Sequence, residues 1–333
     1  MNNSGAIIAL AFPDVFVRVT DGKYNIILEK LGMVNADLIR AGHAAALIVE
    51  PDGHITYTDF GRYITYEDQG RARTKLTDPD VHIPIRAKFT DLGTVQNLKE
   101  IMEFLRLNPE LTHADGRLYA GLFYNVNTEK ALEKAEEISL KGSMPYGPFV
   151  ANGSNCARYV WSLLWHSGRD VGKLRLFKKR WPSPMPLDLI MCAEVYHRFE
   201  LMGDVLEPFS ARRWPIWNRL FEKPESRDLL SIEKSNLYAG KGTWLESIGD
   251  GAWFEVEGTL DDQVMITRRD SRGVKVFSHW FQRPSDLDLA QKHQFEFDCN
   301  AQFCHISQNG RLFRLDRVST VDAPVSSEVN SSY

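Results

Sequence analysis

Gly42-His43-Ala44-Ala45-Ala46-Leu47-Ile48-Val49 is followed by Glu50-Pro51-Asp52-Gly53 and then by His54-Ile55-Thr56-Tyr57-Thr58-Asp59-Phe60. The first run is small and aliphatic, the second is a turn signature, and the third is rich in β-branched and aromatic residues. The stretch therefore reads as a β-hairpin with a histidine at its far end. The alanines beside His43 leave room for a helix to pack closely on that strand. With Pro51-Asp52 as a two-residue loop, Phe60 falls opposite His43 and His54 opposite Val49. At about 3.3 Å per residue His54 then lies roughly 20 Å from His43 and cannot orient its ring. Within reach are Thr58, a diagonal neighbour on the same face, and Asp59, which comes to His43 if the register shifts by one or a bulge intervenes.

Working outward, Ala6 to Phe12 reads as a strand, and Tyr24 to Val34 as a short amphipathic helix. Val81 to Ile85 alternates and reads as an extension of the same sheet, limited by Pro84 to an edge or irregular position. Helices are expected over Leu92 to Leu107 and Thr128 to Leu140, with a strand from Arg117 to Val126 between them. Gly147 to Gly153 is a loop, after which Ser154-Asn155-Cys156 opens a helix with Tyr159, Val160, Leu163 and Leu164 on its apolar face. A proline-rich connector, Trp181 to Pro186, leads to a helix near Leu187 to Phe199. From about residue 232 the pattern changes to short strands with glycine turns. The expected organisation is α+β: residues 1–231 as one domain with helical insertions, 232–322 as a small β-rich domain, and 323–333 as a disordered tail.

The whole chain has 333 residues, is 43% hydrophobic and 25% charged, and carries a formal net charge of −4, which places it among globular proteins. Its 40 Lys+Arg against 44 Asp+Glu form no basic stripe, so nucleic acid is not an expected partner. No apolar run approaches the roughly 20 residues of a spanning helix, and no basic segment precedes Ala6 to Phe12. A cytoplasmic location follows as the expectation. Four cysteines, Cys156, Cys192, Cys299 and Cys304, are too few for a disulfide framework and read as thiols.

Cysteine attacks as the thiolate, and the first turn of a helix, with its unpaired N–H groups and positive dipole end, favours that anion. Cys156 holds this position, with Ser154 or Asn155 as N-cap and Gly153 allowing a sharp entry. Its backbone N–H could also face a developing oxyanion. His43 is the candidate base, and Asp59 or Thr58 the candidate orienter. The plain alternatives are a small buried cysteine and a strand-end histidine satisfied by solvent. Tyr57, Tyr63, Tyr146 and Phe149 are candidates to line a substrate groove. Asn155 and Arg158 are placed with Tyr57 and Tyr146 against substrate, and Arg62, Arg71 and Arg158 are candidates for a carboxylate. Cys299, Cys304 and His305, with His293 nearby, fit zinc spacings poorly and read as a packed thiol pair. No metal and no cofactor are called for.

The Gly42 to Val49 strand with its Gly53 turn, followed by Asn155-Cys156-Ala157-Arg158-Tyr159-Val160, resembles the circularly permuted branch of the NlpC-type papain-like superfamily. The lecithin retinol acyltransferase-like proteins belong to that branch, and the likeness spans roughly residues 36–165. The whole chain also resembles a bacterial group with a Gly-His strand, an Asp-Phe-Gly-Arg-Tyr segment (Asp59 to Tyr63) and a Tyr-Gly-Pro-Phe approach to the cysteine (Tyr146 to Phe149). The resemblance implies a permuted papain-like core and a thiol hydrolase or acyltransferase, with an acyl-enzyme at Cys156 and His43 shuttling the proton. It implies a small peptide or acyl substrate, of cell-wall or γ-glutamyl type. The favoured reading is hydrolysis of an amide. Lipid or thioester acyl transfer, and a non-catalytic binding module working through the β-rich domain, are the alternatives. The sequence leaves the oligomeric state open.

Overall fold

The computed structural model describes residues 5–19, 30, 38–148, 150, 152–168, 183–194, 197–209, 238, 242–248 and 251–319. The chain is α+β and divides into two compact units, Met1–Lys234 with Glu246–Asp250, and Ser235–Leu245 with Gly251–Tyr333. Among the described residues no helix is long and apolar enough to cross a membrane.

The first unit is built on an antiparallel sheet. Its strands are β1 (Ala6–Phe12), β4 (His43–Val49), β5 (Ile55–Gly61), β6 (Gln69–Arg73), β7 (Leu118–Tyr124), β8 (Met144–Pro145), β9 (Arg198–Met202) and β10 (Val205–Pro208). They lie in the order β10-β9-β7-β1-β4-β5-β6-β8, while β2 (Val17–Arg18) and β3 (Leu38–Ile39) form a separate ribbon. Every residue of β1 and β4 is buried. Their unbroken apolar runs follow from a sheet covered on both faces, where alternation would leave polar groups inside.

The helices are α1 (Leu98–Leu107), α2 (Pro109–Thr112), α3 (Thr128–Leu140), α4 (Cys156–His166) and α5 (Pro186–Cys192). On one face Ala9, Ala11, Ala44, Ala46 and Phe60 pack with Ala131 and Ala135 of α3, Tyr159, Val160 and Leu163 of α4, and Ile190 of α5. On the other, Leu10, Ala45, Leu47 and Tyr57 pack with Val81, Ile83 and with Ile101, Met102 and Leu105 of α1. The small side chains of the first face set the close approach. At Gly121 even a methyl group would lie 3.1 Å from the Ile190 Cα.

The hairpin register differs from the sequence expectation by one residue. Glu50 N–H donates to His54 O and Gly53 N–H to Glu50 O, both at 2.9 Å, so Pro51-Asp52-Gly53 forms a three-residue loop with Gly53 at φ 85°. Val49 pairs with Ile55 and Ala45 with Asp59. The slip turns Asp59 to the face that the shorter loop would have given Thr58.

Other boundaries also move. Val81 to Ile85 adds no strand: Pro79–Val81 is a 3-10 turn, and Val81 and Ile83 cover the sheet from outside while β6 extends it. The first helix starts at Leu98, because Phe89 bridges Val95 ahead of it. The helix at Leu187 ends at Cys192, and Phe199 belongs to β9, where it pairs with Ala120. The expected helix over Tyr24 to Val34, apart from Lys30, and the tail 323–333 lie outside the described residues.

The second unit carries β11 (Thr243–Glu246), β12 (Gly251–Leu260), β13 (Gln263–Arg269) and β14 (Lys275–Gln282) in one sheet. A second sheet holds β15 (Gln294–Glu296), β16 (Phe303–Gln308) and β17 (Arg311–Asp316). Cys304 and His305, weighed in the sequence as metal ligands, are strand residues of β16.

Candidate active site

Cys156 is the first residue of α4. Asn155 caps the helix, its side-chain oxygen accepting from Arg158 N–H at 2.9 Å, and its amide donates to Ser183 Oγ at 2.7 Å. The approach is tied to β8: Ser154 N–H donates to Pro145 O at 3.0 Å and Gly147 N–H to Ser154 O at 2.9 Å. A methyl group at Gly153 would lie 2.1 Å from Pro145 O, so only glycine lets the chain run there. Arg158 bonds back to the carbonyls of Gly147 and Val150 at 3.3 and 3.1 Å. The thiol is thus held by a cap, a strand and a guanidinium, and Cys156 keeps 7% exposure.

His43 and Tyr146 are side chains whose charge states respond to the Cys156 sulfur. His43 begins β4 just after Gly42, whose φ of 71° turns the chain into the strand, and retains 8% exposure. Its Nε2 lies 3.2 Å from Asp59 Oδ2. With Nε2 engaged by the carboxylate, Nδ1 is the nitrogen left for the thiol. Tyr146 stacks on Phe60 at 6.0 Å and lies under the Arg62 guanidinium at 5.1 Å.

Asp59 is fully buried and anchors the polar network. Its Oδ2 accepts from Tyr57 OH at 2.9 Å, Tyr63 OH at 2.7 Å and Arg73 Nη2 at 2.7 Å as well as meeting His43, while Arg73 Nε donates to Oδ1 at 3.0 Å. Asp59 and Arg73 are direct cross-strand partners. Tyr63 reaches the cluster because β5 ends in glycine: a methyl group at Gly61 would lie 2.5 Å from the Tyr63 ring. A second buried pair, Arg71 with Asp78 at 2.6 and 2.7 Å, adds a bond from Arg71 Nε to Tyr63 O at 2.8 Å and fixes that residue's backbone.

These neighbours set the charges. Burial disfavours a charged His43, yet the hydrogen bonds to Asp59 and then Cys156 outweigh it and raise its pKa to about 9. Burial likewise opposes the Asp59 carboxylate, but the Arg73 charge and the His43 bond hold it well below the usual carboxylate range. His113, whose ring lies 5.1 Å from Tyr63, is pushed down to about 3 by burial and by Arg73, and so is neutral. Burial and the adjacent Cys156 sulfur push the Tyr146 phenol upward. The arrangement can hold an imidazolium beside a sulfur at the positive end of a helix.

Residues 7–172 match the family described as Type VI secretion system effector TseH-like. That TseH-like segment contains His43, Asp59 and Cys156. Residues 242–318 match the DUF6695 C-terminal domain. The crystal structure titled Type VI secretion system effector TseH is 17% identical and aligns over 62% of this chain and 98% of that one, with a TM-score of 0.44. No curated protein matches the chain.

Within the TseH-like segment the structure brings Cys156, His43, Asp59 and Tyr146 together. Others read from sequence are placed elsewhere. Thr58 points to the helix side, its hydroxyl bonded to Arg73 O at 2.8 Å and Tyr159 OH at 2.5 Å, so it does not orient His43. Tyr57 and Tyr63 are buried and hold Asp59 instead of lining a groove. Asn155 and Arg158 serve as cap and loop tie. Arg71 is engaged by Asp78, and Arg62 donates to Arg18 O. Phe149 lies outside the described residues. His54 is held at the turn by Glu50 at 3.2 Å and Lys75 at 3.1 Å. Sequence reasoning missed Arg73 and His113. Arg71 and Arg73, alternating with Gly70 and Ala72 in a strand inside the sheet, were the available signal, since charged groups there require buried partners.

In the second unit Cys299 Sγ donates to Glu296 O at 3.1 Å, and Cys304 contacts Cys299. His305 bonds Asp298 O at 2.8 Å and His293 bonds Gln291 O at 3.0 Å. Among the described residues no group of three or more His, Cys, Asp or Glu side chains could hold a metal ion.

Proposed function

We propose that the protein is a thiol hydrolase of permuted papain-like type that cleaves an amide bond. The observation that carries this reading is the single histidine ring shared between a helix-start cysteine and a buried, ionised aspartate. The Cys156 thiolate attacks the carbonyl carbon, and the developing oxyanion turns toward the N–H groups of the first turn of α4. His43 gives its proton to the leaving amine as the carbon–nitrogen bond breaks, which leaves an acyl-enzyme on Sγ. His43 then takes a proton from water, the hydroxide displaces sulfur, and a carboxylic acid departs. Asp59 fixes the ring and balances its charge. Residues 1–231 serve as the catalytic part, and 232–322 as a part that shapes the substrate or binds a partner.

The matched family's description supports delivery by a Type VI secretion system, a route that brings the enzyme to cell-wall peptides outside the producing cell. Cytoplasmic recycling of γ-glutamyl or cell-wall fragments is the other setting for the same chemistry. The test has two steps. Alkylation of Cys156 is followed against pH by peptide mass spectrometry, with Cys192, Cys299 and Cys304 as internal references. Cell-wall peptides are then incubated with wild type and Cys156→Ala. Rapid alkylation well below the ordinary thiol pKa of about 8.5, abolished in His43→Ala, supports the reading, as does loss of peptide cleavage in Cys156→Ala. A Cys156 no faster than the other three, or indifferent to His43, overturns it. Transfer of the acyl group to an added amine in place of release as an acid moves the assignment to an acyltransferase.

A further inference from the structure

The Asp59 to Tyr63 segment and the arginine opposite it form a unit that the proposed reaction does not by itself require. Aspartate can orient an imidazole with one oxygen. Here both oxygens are occupied, and Arg73 meets them as a fork, with Nε on Oδ1 at 3.0 Å and Nη2 on Oδ2 at 2.7 Å. The guanidinium is itself fixed twice more. It donates to Leu111 O at 3.0 Å and lies 3.7 Å from the Tyr63 ring centre. The hydroxyl of that ring returns to Asp59 at 2.7 Å and stands 3.4 Å from His43 Nε2.

We infer that Arg73 is a positioning residue for the site: acting through Asp59, it keeps the buried carboxylate ionised and in the plane His43 needs, and thereby sets the pH range over which Cys156 is reactive. This rests on the assignment of Cys156, His43 and Asp59 proposed above.

Removing the fork changes where the proton resides. Asp59 is faced by His43 from β4, Tyr57 from its own strand, Tyr63 beyond the strand end, Arg73 from β6 and His113 after α2. His43 is faced in addition by Cys156 of α4 and Tyr63, and Tyr146 feels both the sulfur and Asp59. Two positive charges meet the carboxylate, Arg73 at 2.7 Å and the His43 imidazolium at 3.2 Å, and Arg73 is the permanent one; His113 is neutral and the tyrosines offer only hydroxyl donors. Burial raises the pKa of Asp59, and the Arg73 charge is the largest influence opposing it. Without Arg73 the carboxyl holds a proton to higher pH, and a neutral carboxyl does not balance an imidazolium. The thiolate that depends on that imidazolium then forms only at higher pH. Lysine restores the charge but not the two-point geometry.

The experiment is the pH profile of Cys156 alkylation by iodoacetamide in wild type, Arg73→Gln, Arg73→Lys and His43→Ala, each checked for native unfolding temperature. The expected result is an Arg73→Gln midpoint about one pH unit higher, hence about tenfold slower alkylation on the acid side. Arg73→Lys shifts the same way by less. A folded Arg73→Gln with the wild-type midpoint overturns the inference. Where Arg73→Gln does not fold, Arg73→Lys decides, and coincidence of its midpoint with wild type overturns it equally. A wild-type Cys156 that ignores His43 is a separate outcome, in which the active-site assignment itself fails and this inference falls with it.

Discussion

Cys156 and Cys304 are both buried thiols, one in each unit, and their surroundings differ in kind. Cys156 starts a helix and meets an imidazole whose charge is favoured by Asp59. Cys304 lies inside a strand and meets another thiol; burial first, and then Cys299, pushes it well above its ordinary value. Burial alone therefore does not decide what a cysteine does. The two sites differ in the neighbouring group, and in the first unit that group, His43, is backed by a further buried layer of Asp59, Arg73, Tyr57 and Tyr63.

The sharpest way to break this contrast is to remove the layer. Asp59→Ala leaves Arg73 buried without its counter-ion and is expected to cost about 3–5 kcal/mol in urea unfolding, whereas Cys304→Ala, which removes one apolar-like atom, costs about 1 kcal/mol. Equal costs would dissolve the distinction between the two regions.

The next effect is on pH. His43 is raised from 6.5 to about 9 in the fold, so its contribution is complete below pH 6.5 and is lost as pH rises through 9. That shift corresponds to about 3 kcal/mol as an order of magnitude. His113 has the opposite sign: lowered to about 3, it is neutral in the fold, and stability falls as pH drops from 6.5 toward 3 because the unfolded ring takes up the proton. Asp59 acts on the acid side too, its contribution fading as pH falls below the ordinary carboxylate range. Stability of the first unit is expected to peak near pH 6.5. His43→Ala should flatten the alkaline side alone, which a urea series from pH 5 to 10 measures.

Gly61→Ala drives a methyl group into the Tyr63 ring and is expected to cost about 1–3 kcal/mol while shifting Tyr63 from Asp59. The readout is thermal unfolding together with Cys156 alkylation. Smallest is Asn155→Ala, which removes the cap of α4 and costs about 1 kcal/mol, with slower alkylation at Cys156 as the helix start frays.

Much of this was legible in the chain itself. The turn chemistry and β-formers of residues 42–60 specify a hairpin, the alanines specify a closely packed helix face, and a cysteine after Asn155 specifies a helix start. The register was not legible, because Pro51-Asp52-Gly53 can close a loop of two or three residues and only the hydrogen bonds at Glu50 and His54 distinguish them. Nor was the partner of Asp59. Arg73 is brought opposite it by the pairing of β5 with β6, and sequence periodicity gives faces, not cross-strand neighbours. The bonds of Tyr57 and Tyr63 to Asp59 were not legible for a related reason: a tyrosine beside a sheet has the same signature whether it lines a groove or donates to a buried carboxylate.

The sheet order has a consequence for local stability around the site. His43 and Asp59 stand on β4 and β5, which have strands on both sides, whereas Tyr146 follows β8, a two-residue edge strand leading to the cysteine loop. Amide protons of residues 44–48 should exchange only through unfolding of the whole unit, and those of residues 144–147 through local fraying. The imidazole and carboxylate are then set in the middle of the sheet, and Tyr146 beside its edge.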